Sequence, residues 1–260
     1  MRKALVAANW KMNGRRSANE KLIAALVAGL DQAKAGAVDV VVFPPAVYLA
    51  DVRQMVSGSM IELGAQNVSL ESLDGAFTGE CSAQMFCDAG CGWVLVGHSE
   101  RRAMFGETED VVAAKMRAAL DADLSPVLCV GETLEQRQGG ALEQVVSSQV
   151  VSALSSLSVP MLSRVVLAYE PVWAIGSGLT ASPEQAQEVH EMIRAVVAGM
   201  GGEELAQKIR IVYGGSVSAA NAELIFAQPD IDGGLVGGAS LKAEDFLAIC
   251  RASADQAAVG

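Results

Sequence analysis

The sequence predicts an α/β fold, a (β/α)8 barrel of eight parallel strands with outer helices, and three observations lead there. Short apolar runs, mostly β-branched or continuous, recur eight times along 260 residues. Longer segments with helical patterning or helix start signals lie between them. No linker or low-complexity stretch interrupts the series. Eight such units close a barrel in about 250 residues, so one domain spanning residues 1–260 suffices. An open doubly wound sheet is the alternative, and periodicity alone leaves it standing.

The strands are read at residues 4–8, 38–43, 60–63, 93–96, 127–130, 165–169, 209–213 and 234–236. After the first, Leu22, Ile23, Leu26, Val27 and Leu30 repeat at helical spacing, with Ser17-x-x-Glu20 as a capping box ahead of them. Thr133-x-x-Gln136 reads as a second capping box after the fifth strand. After the sixth, Ser182-Pro183 reads as an N-cap followed by a first-turn proline. It opens the stripe of Val189, Met192, Ile193, Val196, Val197 and Met200.

Composition narrows the function. Nineteen basic against thirty acidic residues leave a net charge of −11, so no long-range field draws nucleic acid or an anionic membrane. A small anion remains open if cations and backbone N–H groups converge on one pocket. The five cysteines include no C-x-x-C pair, and His98 and His190 form no H-E-x-x-H, so neither a disulfide framework nor a histidine metal site is indicated. Cys129 reads as a buried structural thiol. The apolar run after Met1-Arg2-Lys3 stops at Asn9, too short for a signal sequence. The uncharged stretch 144–163 is serine-rich and broken by Pro160, which excludes a membrane span. A cytoplasmic protein is expected, and Asn67-Val68-Ser69 is then a chance sequon.

In a barrel, chemistry belongs just after the strand ends. Asn9-Trp10-Lys11 follows the first strand. Gly97-His98-Ser99-Glu100-Arg101-Arg102 follows the fourth, and the positive end of a helix starting there favours a neutral, hydrogen-bonding imidazole. Arg101 stands where a nucleophile elbow needs glycine, which excludes an esterase. Glu170 follows the sixth strand directly, and a lone carboxylate in apolar surroundings is a candidate general base. The apolar, glycine-rich segment after it reads as a lid. Gly176-Ser177-Gly178-x-x-Ala181 matches a relaxed dinucleotide fingerprint but lies six residues past the strand, where that motif does not work. Tyr213-Gly214-Gly215-Ser216 and Gly237-Gly238-Ala239-Ser240 follow the seventh and eighth strands, where barrels commonly bind phosphate.

These segments, with Ala65-Gln66-Asn67, residues 75–80, Cys129-x-Gly131-Glu132 and residues 169–176, occur in the order found in triosephosphate isomerases. The sequence resembles that family over essentially its whole length. The resemblance implies a single TIM barrel that interconverts dihydroxyacetone phosphate and glyceraldehyde 3-phosphate without cofactor or metal. Glu170 would move the proton between carbons and His98 between oxygens. Lys11 would supply fixed charge, with Asn9 beside it and Glu100 as its partner. Gly176, Ser216, Gly237 and Gly238 would offer amides to the phosphate. A lid at about 171–181 would be latched by Tyr213 and Ser216, with Glu132 meeting Trp173 at its hinge. The segment at about 66–82 would carry Thr78 into a second subunit, making a homodimer, with Gln66, Glu80 and Arg101 also at the interface. Ser177 and Leu179 depart from the family's common threonine and lysine, which bears on lid opening rather than chemistry. Two other readings are a non-enzymatic phosphate-binding barrel and a different phosphosugar enzyme.

Overall fold

The computed structural model describes residues 2–30, 37–175 and 180–259. Its strands are β1 (Ala4–Asn9), β2 (Val38–Phe43), β3 (Ile61–Ala65), β4 (Trp93–Val96), β5 (Ser125–Val130), β6 (Val166–Tyr169), β7 (Arg210–Tyr213) and β8 (Gly233–Val236). They pair in parallel in chain order, and β1 also pairs with β8. The sheet therefore closes into a barrel, and the open-sheet alternative falls away. The helices include α1 (Arg16–Leu30), α2 (Leu49–Val56), α3 (Ala83–Asp88), α4 (Ser99–Phe105), α5 (Glu109–Asp121), α6 (Leu134–Gln138), α7 (Leu142–Leu154), α8 (Val159–Leu162), α9 (Pro183–Gly201), α10 (Glu203–Lys208), α11 (Ala222–Phe226) and α12 (Ala243–Val259).

The strands are continuous apolar runs because both of their faces are buried. In β1, Ala4, Val6 and Ala8 pack outward against the helices while Leu5 and Ala7 point into the barrel. The interior holds Val41 and Phe43 from β2, Trp93 and Leu95 from β4, Val127 and Cys129 from β5, Val166 and Ala168 from β6, Val212 from β7 and Leu235 from β8. Fully buried there, the Cys129 thiol is pushed well above its ordinary value by burial, then by the Glu170 charge. At the N-terminal mouth, Arg210 Nη1 donates to Asp39 Oδ2 at 2.7 Å and its guanidinium lies 5.2 Å from the Trp93 ring centre. Trp93 Nε1 donates to Glu62 Oε2 at 3.0 Å, so that end is filled and the opposite end is free to carry chemistry.

Two local expectations shift. The third strand ends at Ala65 rather than residue 63, because Gly64 continues the strand at an inward position. A Cβ at Gly64 would lie 2.2 Å from Phe43 Cε1, so Phe43 fills the space that glycine leaves. Gly64→Ala is expected to lower stability by about 1–3 kcal/mol, read as a lower denaturant midpoint at constant m-value. The first helix starts at Arg16, which leaves exposed Ser17 inside its first turn instead of capping it. The Arg15 N–H donates instead to Oδ1 of buried Asn19 at 3.2 Å. The other two start signals form: Thr133 and Ser182 each cap with a reciprocal glutamine, and Pro183 opens α9.

Candidate active site

The alternation that fills the barrel also aims its polar top layer. Asn9 has the parity of Leu5 and Ala7, and Glu170 that of Val166 and Ala168, so both face the axis at the C-terminal end. Glu170 is 2% exposed. Its neighbours at the same level are glycines, and they have to be. A Cβ on Gly131, just past β5, would lie 1.7 Å from the Glu170 carbonyl oxygen, and one on Gly214, just past β7, 2.8 Å from Glu170 Cγ. Gly131 thus admits the Glu170 backbone, and Gly214 makes room for its side chain.

His98 caps α4 through its ring: Nδ1 accepts the Glu100 N–H at 3.2 Å. A nitrogen that accepts carries no proton, so the ring is the neutral tautomer with its proton on Nε2. That nitrogen lies 3.1 Å from Glu170 Oε1, and Glu170 Oε2 accepts the Ser99 N–H at 2.9 Å. The helix start therefore fixes the imidazole and the carboxylate together.

Lys11 adopts φ +50°, a left-handed conformation unusual for a non-glycine residue. Its N–H donates to Asn9 Oδ1 at 2.9 Å, and its carbonyl accepts Gln66 Nε2 at 2.8 Å, so side chains from β1 and the loop after β3 hold the strained backbone. Nζ donates to Glu100 Oε1 at 2.5 Å, while Glu100 Oε2 lies 3.7 Å from His98 Nδ1.

Asn9, Lys11, His98 and Glu170 line one cavity of about 320 Å³, completed by Gly214, Gly215, Ser216, Gly237 and Gly238. Gly238–Leu241 forms a 3-10 turn whose first residues, Gly238 and Ala239, line this cavity. A Cβ on Gly237 would touch Lys11 Cε at 3.4 Å. Gly176, Ser177, Gly178 and Leu179 lie outside the described residues.

The segment that follows β6 is tied to the end of β5. Buried Glu132 accepts Trp173 Nε1 at 2.8 Å, Arg137 Nη1 at 3.0 Å and the Tyr169 hydroxyl at 3.1 Å, and its carbonyl accepts the Val172 N–H at 3.1 Å. Tyr213 sits behind the cavity with its hydroxyl buried. Burial pushes its phenol up to about 12, against the pull of the Ala181 backbone N–H. His190, T-stacked on Tyr169 at 5.9 Å, is pushed down to about 3 by burial and stays neutral.

The remaining predicted residues stand apart. Gln66, Glu80 and Arg101 line a second cavity of about 340 Å³ with Met12, Glu100 and Phe105, which shares Asn9, Lys11 and His98 with the first. Thr78 is exposed and lines neither. Arg101 and Lys115 both donate to Glu107 Oε1, the lysine at 2.5 Å, and Lys115 also donates to Asn67 Oδ1 at 2.7 Å. Burial pushes the Glu107 carboxyl up, but its bonds to Lys115 and Arg101 prevail and hold it below the ordinary carboxylate value.

Sequence reasoning did not anticipate the Ser99 amide as a carboxylate partner, nor Gly131 and Gly214 as the space for Glu170. The glycines sat in plain view beside strand ends, but only the barrel shows what they face. Among the described residues, no group of three or more His, Cys, Asp or Glu side chains is placed to hold a metal ion, and no helix is long and apolar enough to cross a membrane.

Comparison with known proteins supplies the lineage. The family model described as Triosephosphate isomerase matches residues 4–253. The triosephosphate isomerase of Hydrogenovibrio crunogenus is 50% identical over 256 residues, covering 98% of this chain and 100% of that protein. That of Pseudomonas aeruginosa strain LESB58 is 52% identical over 254 residues, covering 97% and 99%, and that of Thiobacillus denitrificans is 54% identical over 254 residues, covering 98% and 100%. With its carboxylate, imidazole and ammonium gathered on one rim of a closed barrel, and half its residues shared with these relatives end to end, the chain belongs to the triosephosphate isomerase family.

Proposed function

We propose that this chain interconverts dihydroxyacetone phosphate and D-glyceraldehyde 3-phosphate through an enediolate, with Glu170 as the base. The observation that carries the reading is the 3.1 Å contact between Glu170 Oε1 and the proton-bearing His98 Nε2, inside the cavity that holds Lys11. The Ser99 N–H holds one carboxylate oxygen and the His98 ring flanks the other. With a triose phosphate bound, Glu170 takes a proton from the carbon beside the carbonyl, and the electron pair moves onto the carbonyl oxygen. His98 Nε2–H donates to that oxygen, then exchanges its proton with the neighbouring hydroxyl. Glu170 returns its proton to the adjacent carbon, so atoms and charge balance without a co-reactant. The Lys11 ammonium stabilises the negative charge that develops between these steps.

Amides of Ser216, Gly237 and Gly238 hold the phosphate, with Gly176 joining from the lid. This local array explains how a chain of charge −11 binds a dianion. Closure of the segment at about 171–181 excludes water, and Tyr213, Ser216, Trp173 and Glu132 anchor it. No cofactor or metal enters the scheme, and the cytoplasm is the proposed compartment. A coupled assay for glyceraldehyde 3-phosphate formation tests the whole: a folded, purified protein with no turnover would leave only a phosphate-binding barrel.

The active unit is a homodimer in which Thr78 enters the partner's second cavity, beside Asn9 and Lys11. The support is the exposed apolar rim of that cavity: Met12 is 95% and Phe105 67% exposed, and the loop bearing Thr78 also exposes Phe77. Such a patch argues for burial against another chain. Thr78→Arg is expected to yield a single-chain species of 27.0 kDa with poor activity; an unchanged mass in light scattering would contradict this.

A further inference from the structure

Helix α7 turns an apolar face toward the barrel, where Val146, Val150, Ala153 and Leu154 are buried. Gln149 interrupts that face. Its amide spends both ends on one residue: Oε1 accepts the Gly131 N–H at 2.7 Å, and Nε2 donates back to the Gly131 carbonyl at 3.2 Å. The side chain therefore acts as an added strand partner for the residue just beyond β5. Gly131 is the residue pressed against the Glu170 carbonyl, and the Glu170 N–H donates to Val130 one residue earlier, at 2.7 Å. Glu132, one residue later, anchors the lid hinge. One amide thus fixes the backbone where the base and the hinge meet.

There is room for that backbone to move if released. A cavity of about 250 Å³ lies on the far side of Glu170, lined by Ser99, Gly131, Thr133, Gln149 and Val172. We infer that Gln149 is a positioning residue for Glu170: its two-pronged bond to Gly131 keeps the β5–α6 turn from relaxing into this space and drawing the carboxylate off the reacting carbon. The inference rests on the proposed isomerase reading. It makes a separate demand, because the phosphate-binding amides of the β7 and β8 loops do not touch Gln149.

Gln149→Met removes both hydrogen bonds at similar shape. Its kcat is expected to fall about tenfold or more, as small misplacements of a catalytic group do, with KM and inhibition by inorganic phosphate changed less than about twofold. Wild-type kcat, or a matching loss of phosphate affinity, would overturn the assignment. Gln149→Glu supplies a second readout, since a protonated carboxyl offers the same donor and acceptor pair as the amide. Its kcat relative to wild type is expected to rise as pH falls from about 8 toward 5, as the introduced carboxyl protonates. A flat ratio would overturn the assignment even if the methionine variant fails to fold. An inactive wild-type protein would instead sink the isomerase reading itself.

Discussion

Glu170→Gln is expected to cut kcat by about 10²–10⁴-fold, the range of a lost general base, while KM stays near the wild-type value. The amide has the carboxylate's shape but does not take a proton from carbon at neutral pH. Its fit is also imperfect. One carboxylate oxygen accepts the Ser99 N–H at 2.9 Å and the other lies 3.1 Å from His98 Nε2, whereas glutamine offers only one acceptor. The cost of that mismatch, about 1–3 kcal/mol, is expected to lower the melting temperature without unfolding the barrel. Steady-state kinetics with a parallel thermal melt check both parts. Turnover close to wild type in a folded variant would remove Glu170 from the chemistry.

Lys11→Met should lose about 10²–10³-fold in kcat, as when one preorganised electrostatic group is deleted. Here KM rises as well, because the ammonium attracts the phosphate dianion before reaction and the enediolate during it. The methionine keeps the length of the stem and the backbone bonds to Asn9 and Gln66, so the φ +50° turn is retained. What disappears is the charge, together with the balance it gives Glu100 at 2.5 Å. The freed Glu100 carboxylate then faces the incoming phosphate with the same sign. Equal KM values for the variant and the wild type would show that the ammonium acts after binding only.

Much of this was legible in the chain. Apolar runs marked the strands because each is buried on both sides, a pattern that survives without knowing its neighbours. Capping at Thr133 and Ser182 was legible because both signals act within one turn of helix. The third strand and the start of α1 shifted because long-range partners decided them. Phe43 from β2 makes Gly64 a strand residue, and at the start of α1 it is Asn19, through the Arg15 N–H, that bonds the backbone in place of Ser17. Gln149 left no signal, since a glutamine within an apolar helical stripe looks like a tolerated surface residue.

The sequence by itself determined which side chains were available: one lone carboxylate after a strand, one histidine at a helix start, a lysine after the first strand, and glycine pairs after the last two. The order of eight strand and helix units followed from burial, which acts on local patterns. Closure of the sheet, the meeting of His98 with Glu170, and the emptiness of positions 131 and 214 depended on tertiary structure. Those relations join residues tens of positions apart, and no property of either residue alone encodes a distance between them. Hydrogen-bond register around a closed barrel sets that distance.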